Sequence, residues 1–554
     1  MDLDDEIESK EEQTPWYRRD ILKLLGGVTV GGSALGYYLQ SGDRPPDGGN
    51  SSTSPDPDRV IDPRHSLTSQ RTQDEYWTAP PGDLDPAEMR TGELGWSQKG
   101  RVGIKTDEGF APLPVGSRAH PAPSIHARRL SNQCYASAYP GSDGGEQIQN
   151  AINDATSTMG QSTVIVDGPG TDSPGGPNQE NVWALSSPLR IPSQTTLLLC
   201  DATLFLTADS NCPLLVNDDI SGGNERIFIE GLGGVRFDGN NSAQQDKQFN
   251  DGIGLAFVNV DNFAIRNVSI GNTRRWMSLI SGCSDGSMEN LRYFLTSQSG
   301  GNHDGLKVHA SENLYISNIR GNSGDDLLSL STYENPGTIP GGAPHEGEVR
   351  FVEIENVKKT EGPFRIKFVT GYDSSPNQMQ DIQLRGIRSS RAIVWETGFA
   401  PNPPEKGDVR GFIISHVNAR FDSSSQSTLF RLAGVDDVIL SDIKLYVTDR
   451  GGVKLLQTAG TMPMENIQIR GVIARAYDGG GWDALIRHGH DYASEIAVSD
   501  VMFDGGRLIR DEQRTKLAGS VSGINGSGLD SLVYTNGTGS SNIEFGNVFG
   551  VSQE

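Results

Sequence analysis

Three short motifs between Asn302 and Lys367 bring together three carboxylates and two cations, the residue types needed for acid–base chemistry on an anionic substrate. They occur as Asn302-His303-Asp304-Gly305, then Gly324-Asp325-Asp326, then Arg365-Ile366-Lys367. Neighbouring carboxyl groups can protonate a leaving oxygen and take a proton from water, provided that their surroundings push their pKa values apart. Asp304 and Asp326 would raise Asp325 by like-charge repulsion, while Arg365 and Lys367 would oppose that shift and attract an anionic substrate. His345, in Pro344-His345-Glu346-Gly347, is the only histidine of the segment between Asp326 and Arg365, and it could enter such a site from a loop.

Such residues act together only if the surrounding elements bring them to one place. A short stripe, apolar-x-apolar followed by a small polar residue and a further apolar one, recurs at Ile227-Ile229-Leu232, Phe263-Ile265-Val268, Leu314-Ile316-Ile319, Val352-Ile354-Val357, Ile382-Leu384-Ile387, Val438-Leu440-Ile443, Ile467-Ile469-Val472 and Ile496-Val498-Val501. Leu291-Tyr293 is a weaker member. The spacing is mostly roughly 23 to 38 residues, the range of a solenoid. Alternation within each stripe marks a strand, and the small polar residue marks a bend. Stacked strands of this kind bury a continuous interior that no single coil could close, so the expected fold is all-β, a parallel β-helix.

The stripes set a register for the polar residues. Asp304 lies thirteen positions after Leu291, Asp325 eleven after Leu314 and Arg365 thirteen after Val352. All three should therefore fall on nearly the same strand of successive coils, about 4.8 Å apart. Asp325 and Asp326 are adjacent, and on a regular strand one of them would enter the apolar interior. A bulge or a bend at a strand end must turn both outward. Arg365 and Lys367 share a face, with Ile366 pointing in.

With its order Asn-x-Asp, Asp-Asp and Arg-Ile-Lys, the stretch resembles glycoside hydrolase family 28, the polygalacturonase-like enzymes, over roughly residues 225 to 400. The resemblance implies a right-handed single-stranded parallel β-helix of the pectin-lyase type. It also implies Asp325 as general acid, with Asp304 and Asp326 activating water for single displacement with inversion. By the same resemblance Arg365 and Lys367 hold a uronate carboxylate or a hydroxyl, with Asn302 and His345 as further substrate-binding residues. Inversion calls for acid and base carboxyls about 6.5 to 9.5 Å apart, with room for a water. The chain departs from the family pattern in lacking Gly-His-Gly and in its shorter interval between Asp326 and Arg365. The tyrosine expected after Arg-Ile-Lys is replaced at its approximate place by Phe399.

The rest of the chain divides by composition. Residues 1–39 resemble a twin-arginine export signal, Arg18-Arg19-Asp20-Ile21-Leu22-Lys23 before a soft apolar run, which implies a secreted or cell-surface protein. A spacer rich in Asp, Pro, Ser and Gly follows over 40–74, and an appendage with a hairpin around Arg101 to Lys105 over 75–136. Residues 137–517 hold the β-helix, opened by a short amphipathic helix with Ile148, Ala151, Ile152 and Ala155 on one face. The segment 518–554 is a tail rich in Gly, Ser and Asn that covers or trails from the last coil.

A net charge of −24 argues against nucleic acid or an anionic membrane as partner, beyond an N-terminal signal anchor, and suggests a surface solvated for high salt. The expected partner is an acidic polysaccharide, polygalacturonan- or rhamnogalacturonan-like, and the expected state a monomer without cofactor. Cys134, Cys200, Cys212 and Cys283 lack metal-ligand spacing; Cys200 and Cys212 could pair, or all could be buried thiols. Asp238-Gly239 reads as a turn, and His488 with His490 as a polar turn before a metal site. Trp276 could stack a sugar or pack at a buried edge, and Asn267-Val268-Ser269 is a glycosylation sequon. Two other functions fit the same fold. In a lyase or epimerase the acids would bind calcium and an arginine or lysine would take the C5 proton. The other is a non-catalytic surface β-helix that binds polysaccharide.

Overall fold

The apolar stripes form the inward rows of a right-handed parallel β-helix, in which each strand pairs with its counterpart one coil on. In the computed structural model the chain divides into two units, Met1–Pro123 and Ser124–Glu554. The structure describes residues 94–96, 102–106 and 109–113 of the first unit. In the second it describes 133–551 apart from 160–161, 169–180, 246–247, 297–301, 336, 343–345, 362–365, 371–377, 390–392, 398–408, 423–427, 450, 460–462, 490–493, 512–516 and 536–541. The first unit holds an antiparallel sheet of Leu94–Trp96, Val102–Thr106 and Gly109–Leu113. The export segment and the spacer lie outside the described residues.

One register line runs through the long strands of the second unit: Ile229, Ile265, Met288, Ile316, Ile354, Leu384, Ile414, Leu440, Ile469 and Val498. Every one of these side chains is buried in a single core. At about 1.5–3 kcal/mol for each such side chain, the line resists a slip of register, which would expose it all at once. Of the expected stripes, Leu232 alone stays half-exposed.

The bend after this line has a fixed backbone. Asn267, Asn290, Asn318 and Asn356 all take a left-handed φ of 56° to 58°. Their amides form a ladder, Asn290 donating to Asn267 at 2.9 Å, Asn318 to Asn290 at 2.9 Å and Asn356 to Asn318 at 3.2 Å. Asparagine tolerates this conformation and joins its neighbours, so the small polar residue of each stripe has a definite task. Asn267 also donates to Glu230, so both ends of its amide are engaged within the fold. At Gly386, the next position, φ is 74° and an added Cβ would lie 2.7 Å from the Asn356 Oδ1.

The helix Gly144–Met159 packs its buried Ile148, Ala151, Ile152 and Ala155 on the first strands. At the other end, strands Leu517–Thr535 and Asn542–Val551 pair in parallel with the preceding coil. The segment after 517, expected to cover or trail from the last coil, thus continues the coils. All four cysteines are free thiols, so Cys200 and Cys212 do not pair. Burial pushes Cys200 up to about 12. Asp238 serves its turn, accepting from Asn240 N–H at 3.0 Å and pairing with Arg236 at 2.7 Å.

The sheet that carries the site includes β1 Leu255–Val258, β2 Ser278–Ser281, β3 Leu306–His309, β4 Leu328–Ser331, β5 Ile366–Thr370, β6 Ile393–Thr397, β7 Thr428–Ala433, β8 Val453–Ala459, β9 Trp482–His488 and the end of β10 Ser494–Asp511. Its register runs through Leu306, Leu328, Ile366, Ile393, Phe430, Leu456, Ile486 and Ile509.

Candidate active site

Asp304 and Asp326 each stand two residues before a register partner, Leu306 and Leu328, so they stack one above the other in the bends leading into β3 and β4. The carbonyl of Asp326 accepts from Gly305 N–H at 2.8 Å, which locks the stack. The position shared with Asp304 is therefore that of Asp326, whereas the residue counts pointed to Asp325. Asp325 lies one residue earlier and is half-buried. As the adjacent pair required, both sit in a bend at a strand end. His303 shapes that bend: its carbonyl accepts from Gly324 N–H at 3.0 Å and Asp325 N–H at 3.4 Å. Its ring is buried, with Nδ1 3.1 Å from the Thr273 carbonyl, and an added Cβ at Gly324 would press on the side chain, 3.0 Å from its Cβ and 3.1 Å from the ring Cδ2.

One oxygen from each of Asp304, Asp325 and Asp326 lies within 4.8 Å of the others. That is closer than the about 6.5 to 9.5 Å separating carboxyls that hold a water between them. Burial holds Asp304 well above the usual carboxylate range, Asp326 and Asp325 adding to the rise and Lys307 opposing it. The trio could also hold a divalent cation, since it offers oxygen ligands alone.

Lys307 and Glu334 were not singled out in the sequence. Lys307 is one position past Leu306 and faces outward, buried at 6% exposure. It pairs with Glu334, donates to Ser329 Oγ at 3.1 Å and lies 5.2 Å from the centroid of the Trp276 ring. Burial alone would lower its pKa, but Glu334 and Asp304 outweigh that and hold it above its ordinary value. Its signal was available in the alternation Leu306-Lys307-Val308, which turns a lysine outward three residues after an acid. Glu334 had none, because it arrives on a loop after β4, held by Ser331 Oγ at 2.7 Å. The loop continues to Ile339, which is buried against Val216, Ile253, Ala256, Val258, Trp276 and Leu279 on the outer face of earlier coils.

Of the expected substrate-binding residues, Lys367 is half-buried on β5, in register with Ser329 and through it Lys307. Asn302 is exposed, with a left-handed φ of 54°. Arg365 and His345 lie outside the described residues, as do His490 and Phe399. Trp276 is 3% exposed and meets Phe249 edge-on at 4.7 Å, so it packs and offers no face to a sugar. His488 is fully buried, its Nδ1 2.9 Å from Thr458 Oγ1, and stands in an interior polar row.

The sequence model of the family described as "Glycosyl hydrolases family 28" matches residues 214–445. No curated protein matches this sequence. Among solved structures, the chain is similar to the mannuronan C-5 epimerase AlgE6 A-module of Azotobacter vinelandii at 10% identity, covering 76% of this chain and 100% of that one, with a TM-score of 0.46. It is similar to a family 28 exopolygalacturonase of Yersinia enterocolitica at 12% identity, 83% and 84% coverage and a TM-score of 0.39. A third is the polygalacturonase of Erwinia carotovora, at 14% identity, 79% and 99% coverage and a TM-score of 0.38. The resemblance to family 28 is thus borne out over residues 214–445, the part of this β-helix that matches the family's model.

Proposed function

We propose that the protein is an exported glycoside hydrolase that cleaves an acidic, uronate-containing polysaccharide by single displacement with inversion. The observation that carries the reading is the trio of Asp304, Asp325 and Asp326 beside a buried Lys307, inside the segment that matches family 28. Asp325, the most accessible of the three, meets the glycosidic oxygen and gives it a proton as the C–O bond breaks. Asp304 and Asp326 orient the water that attacks the anomeric carbon and take up its proton. The raised pKa of Asp304 makes it a stronger base once ionised. Because the three carboxyls sit so close together, the water stands beside the trio. Lys367, two coils from Lys307 on the same outward row, faces the uronate carboxylate.

A lyase or epimerase needs a cation that can lose its proton, and Lys307 is held the other way by Glu334 and Asp304. The close spacing of the trio favours one competing reading, double displacement with retention, for which carboxyls lie about 5 to 5.5 Å apart. The test is product analysis on polygalacturonate and related uronate polymers. Reducing ends of inverted configuration, lost in Asp325→Asn by about 100-fold or more, are expected. Retained configuration would replace the mechanism, and a product absorbing in the ultraviolet would replace the reaction class.

A further inference from the structure

The outward rows that hold the acids continue along the same sheet and change sign. Thr428, Lys454, Ala484 and Arg507 stand two residues before Phe430, Leu456, Ile486 and Ile509, as Asp304 and Asp326 stand before Leu306 and Leu328. The row of Lys307, Ser329 and Lys367 continues through Val394 and Arg431 to Gln457, Arg487 and Arg510. At about 4.8 Å per strand, Lys454 on β8 is about 19 Å along the sheet from Asp326, and Arg507 and Arg510 on β10 about 29 Å.

Here three cations converge on one carboxylate, with Arg487 beside Lys454, in a chain whose net charge is −24. The pairing of β8 and β9 shifts register between Val453 and Lys454, and the extra residue so inserted is Asp483. It lies 3.6 Å from Lys454 Nζ, 3.8 Å from Arg507 Nη1 and 2.5 Å from Arg510 Nη1. Burial lowers the Lys454 pKa, and Arg487 and Arg510 push the same way against the pull of Asp483. Asp511 is in the adjoining row with His488 and Thr458. The Arg507 side chain keeps 34% of its surface and Arg510 25%, so both guanidinium groups can reach a ligand laid along the sheet. A planar guanidinium suits a carboxylate, and two from one strand can hold one or two such groups.

We propose that Lys454, Arg487, Arg507 and Arg510 form a second anion-binding site, which holds carboxylates of the polysaccharide chain several sugar units from the cleavage point. The site lies wholly beyond the family 28 segment, which ends at 445. It rests on the reading of the chain as a hydrolase of acidic polysaccharide, and it adds that the substrate is a long polyanion engaged at two separated places.

Binding is tested on full-length protein carrying Asp325→Asn, so that no cleavage intervenes, with polygalacturonate and alginate as probes at several salt concentrations. Arg507→Gln with Arg510→Gln is expected to weaken binding of the preferred polymer about tenfold and to flatten its salt dependence. Asp483→Asn, which removes the carboxylate paired with Lys454, Arg507 and Arg510, is expected to tighten binding severalfold. A merely structural cluster would lower the melting temperature in both variants and tighten nothing. Affinity that ignores both changes, or binding to neither polymer, overturns the site. Reducing-end release by the wild type is scored separately. Cleavage with indifferent binding rejects the site and keeps the hydrolase, whereas arginine-dependent binding without cleavage keeps the site and rejects the hydrolase.

Discussion

Two ends of one sheet face present opposite chemistry on the same backbone. At β3 and β4 the outward rows hold Asp304, Asp326 and Lys307; at β8 to β10 they hold Lys454, Arg507, Arg487 and Arg510. The inward row behind them does not change character, running from Leu306 and Leu328 to Leu456, Ile486 and Ile509, all buried. The coil therefore fixes where a side chain stands and leaves open what it is, which lets a solenoid carry different sites along one groove. Each end also contains a buried lysine at 6% exposure, and the two are driven in opposite directions. Lys307 is raised by Glu334 and Asp304 against its burial, whereas Lys454 is lowered by burial with Arg487 and Arg510.

The largest expected effect is at the acid end. Asp304→Asn should lower activity by about 10²- to 10⁴-fold in reducing-end release, the range for loss of an acid–base group. The same change should stabilise the fold at neutral pH. A carboxyl whose folded pKa is raised binds more protons folded than unfolded, so stability falls as pH climbs from the ordinary aspartate value through that of Asp304. The variant lacks this fall, and urea midpoints compared across pH would show the wild type losing ground to it. Parallel curves would mean that Asp304 is not the strained group.

The two lysines give the next contrast. Lys307→Met breaks a buried pair and leaves Glu334 uncompensated, at a cost of about 3–5 kcal/mol. Lys454→Met removes a cation from among cations and should cost clearly less in the same denaturant titration. Their alkaline behaviour should differ in sign. The contribution of Lys307 is complete below the ordinary lysine value and is lost as pH rises through its raised one. For Lys454 the wild type gains stability between its lowered value and the ordinary one. In Lys307→Met, Asp304 also loses the cation that holds it down, so the acidic limb of the activity profile should move to higher pH. An unmoved limb would separate Asp304 from the base.

The fold was legible because its signals are local and repeated. Ile316, Ile354 and Leu384 stand in alternating stripes, and Asn318 and Asn356 mark the bends. Asp304 and Asp325-Asp326, read from their order along the chain, likewise come together in space. Counting residues from a stripe misplaced Asp325 by one, because the two starting points were not equivalent: Arg292 pairs with Arg320 and Gly286 with Leu314, so Leu291 corresponds to Ile319 and not to Leu314. Glu334 was hidden for another reason: a loop crossing several coils obeys no period. Trp276 looked like a sugar platform only while the loop bearing Ile339 had no place. The cationic end was invisible because Lys454, Arg487, Arg507 and Arg510 are far apart in sequence and meet through register, with a bulge at Asp483.

Beneath the contrast, the two ends should respond alike where the backbone and its interior are concerned. Leu306→Ala behind the acids and Ile486→Ala behind the cations each empty one position of the same inward row and should cost about 2–5 kcal/mol, without a systematic difference. A much cheaper Ile486→Ala would show that the later coils are looser, and that the two sites do not share one rigid frame. The smallest effect belongs to the bends. Asn318→Ala keeps a left-handed φ of 56° that alanine disfavours and removes the amide between Asn290 and Asn356, costing about 1–2 kcal/mol. Asn318→Gly loses the amide alone, because glycine takes the conformation freely, and should recover most of that cost. If both variants were equally destabilised, the amide ladder rather than the backbone conformation would hold the bends, and Gly386, where it ends, would mark its weak point.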